Sequence, residues 1–451
     1  MSIQSLASRS LAASDGKQLH RQVPPHRWSV TRKDLKHLRT LVEKFVAKGW
    51  ILPTALHKFE ISDGIIGPCI HAVNEQLIQP ITAKAGGMSW ALMLHPDGLP
   101  CDLFVTHCWQ EGIYEFIDKV RNSWPRRARH AYCCMLSNPQ NLDIGDLIGS
   151  PRDSPFAKAL QQSTHMLVVP NRKCSIYSRI WCAYEAFLAY SQSKVIFTAS
   201  APVPNLARNV LMVLLVELVP AFACFVWTLQ LEVWSDGEYK LGAIHEVEQA
   251  GAALAFVFMF ISISIKPGVV AHFLVGISSV LSGACLGLQI RPTAVVCAPS
   301  GSFASLQVLD TLIGLALCMV AASAEADVLI GSDHVREAEQ LRNGYTGKLA
   351  DAQSSEPEDM ATIQAEVSAS GLAKDVEDAI EVLMDLGMST PTLRLAASRV
   401  GRLRRASHVN VSTFCLAWFF WLNTALDRIF FTLEMHWHHH GNGDCSRCES
   451  G

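Results

Sequence analysis

Met166-Leu167-Val168-Val169-Pro170-Asn171-Arg172-Lys173-Cys174-Ser175-Ile176-Tyr177-Ser178-Arg179-Ile180-Trp181-Cys182-Ala183-Tyr184-Glu185 is the stretch that decides the fold of this chain. Met166–Val169 is a short, uninterrupted apolar run, the mark of a strand buried on both faces. A polar loop, Pro170–Ser178, follows it. From Arg179 to Tyr190 the apolar pattern becomes helical, with Glu185 in the opening turns. Strand, loop and helix in that order make one βα unit, and its loop leaves the carboxyl end of the strand, where ligands collect in α/β sheets.

The same alternation extends both ways. Asp102–His107 and Ala131–Leu136 read as buried strands, and Ile113–Val120 as a helix with Ile113, Phe116, Ile117 and Val120 on one face. Ser154-Pro155 opens a further helix in the favoured cap and first-turn arrangement, and Lys194–Thr198 reads as a fourth strand. Strands alternating with helices imply a parallel sheet covered on both faces, so residues 101–200 form an α/β domain. Upstream, residues 1–33 are polar and read as a disordered tail. Residues 34–100 read as a helical and loop-rich extension, beginning with a helix that repeats Leu35, Leu38, Leu41, Val42, Phe45 and Val46 at helical spacing. A short helix near Val73–Gln79 should stop at Pro80.

Composition adds a second class. A mean hydropathy of +0.20 with 18% charged residues is too apolar for an ordinary soluble chain of 451 residues. The excess is local, in stretches at about 209–231, 249–265, 268–290, 305–324 and 411–433, each near the roughly 20 residues that cross a bilayer. Four transmembrane helices are therefore expected over 206–324 and a fifth over 409–433, with a cytosolic linker and helical hairpin over 325–408 between them. Arg399, Arg402, Arg404 and Arg405 precede the last stretch, whereas the loop 232–248 is acidic, which places 325–408 and the α/β domain in the cytosol. The tail 434–451 then lies outside or in a lumen. A net charge of −3 without a basic stripe excludes nucleic acid as a partner, and 14 scattered cysteines lack the spacing of a secreted disulfide framework. The expected partner of the apolar stretches is the lipid bilayer.

The α/β segment resembles a Toll/interleukin-1 receptor (TIR) domain. Asp102-Leu103-Phe104-Val105-Thr106-His107 parallels the opening strand of that family, and Ala159-Leu160-Gln161-Gln162-Ser163 before Met166–Val169 parallels its stretch of alanine, a hydrophobic residue, two polar residues and serine before a later strand. Ser178-x-x-Trp181-Cys182-x-x-Glu185 is similar to the Ser-x-Trp-Cys-Leu-x-Glu ending of plant TIR domains, with one more residue between Ser178 and Trp181. After the first strand the chain has His107-Cys108-Trp109-Gln110-Glu111 where plant members carry an Arg-Gly-Glu-Asp-like turn. The resemblance covers about 100 residues and implies a TIR/flavodoxin-like parallel sheet with flanking helices, here followed by an α-helical transmembrane bundle. It also implies homotypic association and, in catalytic members, cleavage of NAD with Glu185 as the catalytic carboxylate, stabilising an oxocarbenium-like state. Trp109, Trp181, Ser178 and His107 are then candidates to bind the nucleotide. The same residues also read as packing, with Glu185 solvated or paired with Arg179 or Lys194 and Trp181 in the core. The layout, carried by Gly86-Gly87-Met88-Ser89-Trp90 and Leu99–Trp109, also resembles a recurring class of multi-span proteins from single-celled algae and other protists.

Two further features carry chemistry. His436, His438, His440, Cys445 and Cys448 form a dense set of zinc or copper ligands in the C-terminal tail. Glu217, Asp310 and Asp427 lie within apolar stretches, where acids cost roughly 2.5–3.5 kcal/mol and mark either an ion path or a protein-facing packing site. Three functions follow: a membrane-anchored TIR-like signalling or scaffold protein acting through domain assembly, an NAD-cleaving hydrolase using Glu185, or a channel or transporter regulated by the TIR-like domain.

Overall fold

The computed structural model describes residues 15–142, 150–234, 238–289, 302–354, 356–401 and 403. They fall into two compact units. One joins the described residues up to Pro202 with those from His334 onward; the other is Val203–Asp333.

The first unit is a six-stranded mixed sheet with helices on both faces. Its strands are β1 (Val30–Thr31), β2 (Leu103–Thr106), β3 (His130–Cys133), β4 (His165–Val168), β5 (Val195–Thr198) and β6 (Met388–Ser389), in the spatial order β1-β3-β2-β4-β5-β6. The four inner strands are parallel, with Leu103 paired to both Ala131 and His165. β1 and β6 pair antiparallel at the two edges. The period-2 alternation of the strands sorts their side chains to two cores. Phe104, Tyr132, Met166, Val168 and Ile196 enter one, and Leu103, Val105, Ala131, Cys133, Leu167 and Val169 the other.

Each core is closed by helices. Helices α1 (Arg32–Ala47) and α2 (Ile113–Asn122) cover the second face, α1 starting from a Thr31–Asp34 capping box and burying Leu35, Leu38, Val42 and Val46. The first face is covered by α3 (Pro155–Gln162) and α4 (Ile180–Ser191), α3 being capped by Ser154 with Pro155 at its first position. α4 buries nine of its twelve residues, because further helices from the far end of the chain lie against it.

The second unit contains α5 (Leu206–Trp234), α6 (Glu238–Ser264), α7 (Val269–Gln289) and most of α8 (Ser302–Arg342). Leu206–Gln230, Val269–Leu288 and Gly314–Arg342 are long and apolar enough to cross a membrane, and α6 contributes the shorter apolar stretch Ala250–Ser264. The 29 residues of Gly314–Arg342 would reach about 43 Å, more than a hydrocarbon core of about 30 Å needs. Its last turns instead belong to the α/β unit, where Leu341 is fully buried and Arg342 bonds Asp385 at 2.7 Å. The stretch expected at 409–433 and the tail 434–451 lie outside the described residues.

Beyond α8, α9 (Pro357–Ser370), α10 (Ala373–Leu386) and α11 (Pro391–Val400) follow. Sequence suggested a separate linker and hairpin over 325–408, but these helices are part of the α/β unit. The predicted face Val376, Ala379, Ile380 and Leu383 is buried, and Val376, Ile380 and Leu383 share the core of α4. Trp181 Nε1 donates to Asp359 Oδ2 at 3.0 Å, Tyr184 donates to Glu366 at 3.0 Å, and Ile180 N donates to the Gln353 carbonyl at 2.9 Å. β6 then pairs with β5.

Two other expectations are corrected. Residues 15–33 are ordered: a helix spans Gly16–Gln22, and Trp28 is buried, with its indole donating to the Val23 carbonyl at 2.7 Å and its ring packed edge-on against His20. Pro80 does not end its helix. A π turn, Asn74–Ile78, widens the backbone just before it, and Gln79–Lys84 continues with Pro80 in the first turn, where a missing N–H is tolerated.

Because α10 completes the core of α4, Leu383→Ala should destabilise the whole α/β unit by about 2–5 kcal/mol. Denaturant unfolding of the full chain in detergent, followed by tryptophan fluorescence, should shift as one transition. An independent hairpin would instead melt first and leave the β2–β5 signal in place.

Candidate functional site

Taken in chain order, the four parallel strands stand 2-1-3-4, so the order reverses between β2 and β4. That reversal opens a crevice outside the carboxyl ends of neighbouring strands, the place where α/β sheets bind ligands. The loops that meet there are His107–Gly112 after β2 and Pro170–Arg179 after β4.

Glu185 lies at this place and is buried, 7% exposed. Burial pushes its carboxyl up from the ordinary 4.5 to about 7, against the opposing pulls of the neighbouring Thr106 hydroxyl and the Arg179 guanidinium. Among the described residues the hydroxyl itself has no close hydrogen-bond partner. Arg179 is exposed and reaches inward, its Nη1 3.6 Å from Cys108 Sγ. The site thus has a carboxyl that can hold or release a proton near neutrality and a permanent cation at its rim.

His107 and Trp109 belong to the same cluster, through a residue that the strand pattern did not single out. Cys134, just past β3, has its sulfur 3.3 Å from His107 Nε2 and accepts from Trp109 Nε1 at 3.3 Å. Burial, with the charge of Arg179 second, lowers His107 to about 3, and burial raises Cys134 to about 12. The imidazole is therefore neutral and the thiol protonated, which is the opposite of the ion pair a cysteine nucleophile requires. On the outer side, Trp109 packs on His71, and His71 stacks on His57, continuing the cluster outward to the loop after α1.

Trp181 and Ser178 lie elsewhere in function. Trp181 packs on Phe156 and Tyr184 and bonds Asp359, so it joins α4 to α9. Ser178 closes a turn by donating to the Ser175 carbonyl at 2.6 Å, and its own carbonyl accepts from Gln353 N at 2.8 Å. Glu185 is paired with neither Lys194 nor solvent, since Lys194 Nζ donates to the Gln161 and Ser163 carbonyls. Of the proposed metal ligands, His436, His438, His440, Cys445 and Cys448 lie outside the described residues. Among the described residues no group of three or more His, Cys, Asp or Glu could hold a metal.

Lys119 is the other residue that sequence did not reveal. It is 2% exposed, and its ammonium donates to the Pro170 carbonyl at 2.6 Å while pairing with Glu115 at 3.1 Å and Glu111 at 3.5 Å. Gln340, near the end of α8, stands 3.5 Å from the same nitrogen. Burial raises Glu111 to about 8, with Lys119 holding it back. Arg172 bonds both oxygens of Glu115, at 3.0 and 2.8 Å. One buried cation thus ties the loops after β2 and β4 to the end of α8. A lone lysine on an otherwise apolar helix face, four residues after Glu115 and eight after Glu111, is the signal that could have found it.

The chain was compared with protein-family models, curated proteins and solved structures, and it matches none of them.

The raised carboxyl sets a pH test. Unfolded, Glu185 ionises near 4.5; folded, near 7, so between these values the folded state holds the extra proton and stability falls as pH rises. Above both values the penalty reaches roughly 3 kcal/mol. Glu185→Gln should therefore raise the unfolding midpoint at about pH 8 and leave it nearly unchanged at about pH 4. Equal effects at both would mean that the carboxyl is not buried in its acid form.

Proposed function

We propose that the protein is a membrane-anchored signalling or scaffold protein whose TIR-like α/β unit acts by associating with a second copy of itself. The observation that carries this reading is the loop after α1. Trp50, Leu52, Leu56, Ile61 and Ile65 are 54%, 48%, 87%, 55% and 71% exposed within one surface segment. Exposed apolar residues this dense on one loop mark an association surface rather than a scatter of surface residues. The loop is also joined to the switch point, through the His57–His71–Trp109 stack, so association there bears on the cluster around Glu185.

The sheet supports the TIR-like part of the reading through its 2-1-3-4 parallel order and its helix-borne Glu185 at the strand ends. Two features set this unit apart from the pattern the sequence suggested: antiparallel edge strands β1 and β6, and α4 held by the segment that follows α8.

Membrane topology enters the same reading. β5 and β6 are hydrogen-bonded neighbours, yet α5–α8 lie between them in the chain. A sheet cannot be divided by a bilayer, so this pairing supports an even number of crossings between Pro202 and His334, which the shorter apolar stretch of α6 would complete as a fourth. The positive charge of the Arg-rich segment supports a cytosolic location for this common side.

NAD cleavage is the second reading, and the position of Glu185 at the switch point with a carboxyl near 7 and a cation beside it favours it. Both are tested on the full chain in detergent. Concentration-dependent dimers should form, and Leu56→Asp with Ile65→Asp should weaken them at least tenfold, about 1.4 kcal/mol. A chain monomeric throughout, or variants that dimerise like the parent, would contradict the assembly reading. Nicotinamide release from NAD that disappears in Glu185→Ala would establish the enzymatic one.

A further inference from the structure

We propose that Glu217 is a reversible proton-binding site inside the helical unit, exchanging its proton with the membrane face at which α5 begins. This is independent of the assembly reading. Glu217 is 2% exposed, and among the described residues neither of its carboxyl oxygens has a hydrogen-bond partner. It lies eleven residues into α5, about 16 Å along the axis, or half the depth of a hydrocarbon core. An acid there is costly unless it faces protein and has a use.

The packing around it is tight and mostly small. α5 meets α7 through Gly283 and Gly287, where an added Cβ would collide with the Glu217 and Ala221 carbonyls. On α8 the facing titratable group is the Cys318 thiol, with Cys285 of α7 beside it. Ala250–Ser264 of α6 carries no ionisable side chain. On α7, Ser279 and Ser282 are fully buried one turn and one residue before Gly283. Farther toward the start of α7, His272 pairs with Glu325 of α8 at 3.0 Å, and this pair is 33% and 13% exposed. His272 and Glu325 at the mouth, buried serines between, and Glu217 at mid-depth make a graded polar line within closely packed helices. Such a line suits a proton, which needs only hydroxyls and carboxyls to move along.

Two measurements on the full chain in lipid vesicles test this. Infrared difference spectra between acid and alkaline buffers should show the carbonyl stretch of a protonated carboxyl that disappears at alkaline pH. The band should be lost in Glu217→Gln and kept, shifted, in Glu217→Asp. A hydrophobic carbodiimide should modify the parent protein at Glu217, located by mass spectrometry, and alkaline pH should suppress that modification. A band that persists in Glu217→Gln, a carboxyl signal that does not change with pH, or an unmodified Glu217 would each overturn the proposal; the carbodiimide arm needs no variant to fold.

Discussion

Two residues of strand, Met388 and Ser389, close the edge that β5 would otherwise leave open, and much of the α/β unit depends on that pairing. An exposed edge of a sheet is a row of unpaired amides and carbonyls, so something must cover it. Here the cover arrives from beyond α8, nearly two hundred residues later, with Thr198 N donating to the Gly387 carbonyl at 2.9 Å just past the strand pair. α10, leading into β6, completes the core against α4, and α9 bonds Trp181 and Tyr184 on the same helix. The helix that carries Glu185 is thus positioned by chain segments on both sides of the apolar helices.

The switch point is organised around buried charge. Lys119 meets the Pro170 carbonyl just past β4, the carboxyl groups of Glu111 and Glu115, and the amide oxygen of Gln340. Removing one partner from such a set strands the others in a low-dielectric interior, which makes the arrangement a geometric lock more than a source of net stability. Glu185, His107, Cys134 and Trp109 gather at the same end of the sheet, with a neutral imidazole and a protonated thiol rather than an activated nucleophile.

The sequence made the inner strands legible because their residues alternate between two covered faces while remaining apolar throughout: Leu103, Phe104 and Val105 each go to the core that period 2 assigns. The α1 stripe, the Ser154-Pro155 start and the Val376–Leu383 face were equally visible, since caps and helical periodicity are local. β1 and β6 were not, because two residues carry no period and the pairing is purely tertiary. The order of residues 15–33 was hidden for a related reason: His20 and Trp28 are single anchors in polar surroundings, with no pattern to announce them. At the site, the place of Glu185 followed from the βα unit. Its company did not, since Cys134 and Lys119 reach it only through the sheet order. Trp181 shows the converse, a motif residue that tertiary packing turns away toward Asp359.

We propose that the chain on either side of α5–α8 faces the same compartment. Single cysteines placed at exposed positions before α5 and after α8, at Lys58 and Ser368, would test it in a background whose exposed native thiols are replaced. Sealed vesicles of known orientation would be treated with a membrane-impermeant maleimide. Both cysteines should react from the same side and be protected from the other. Reaction of the two from opposite sides would separate β5 from β6 and contradict the fold itself.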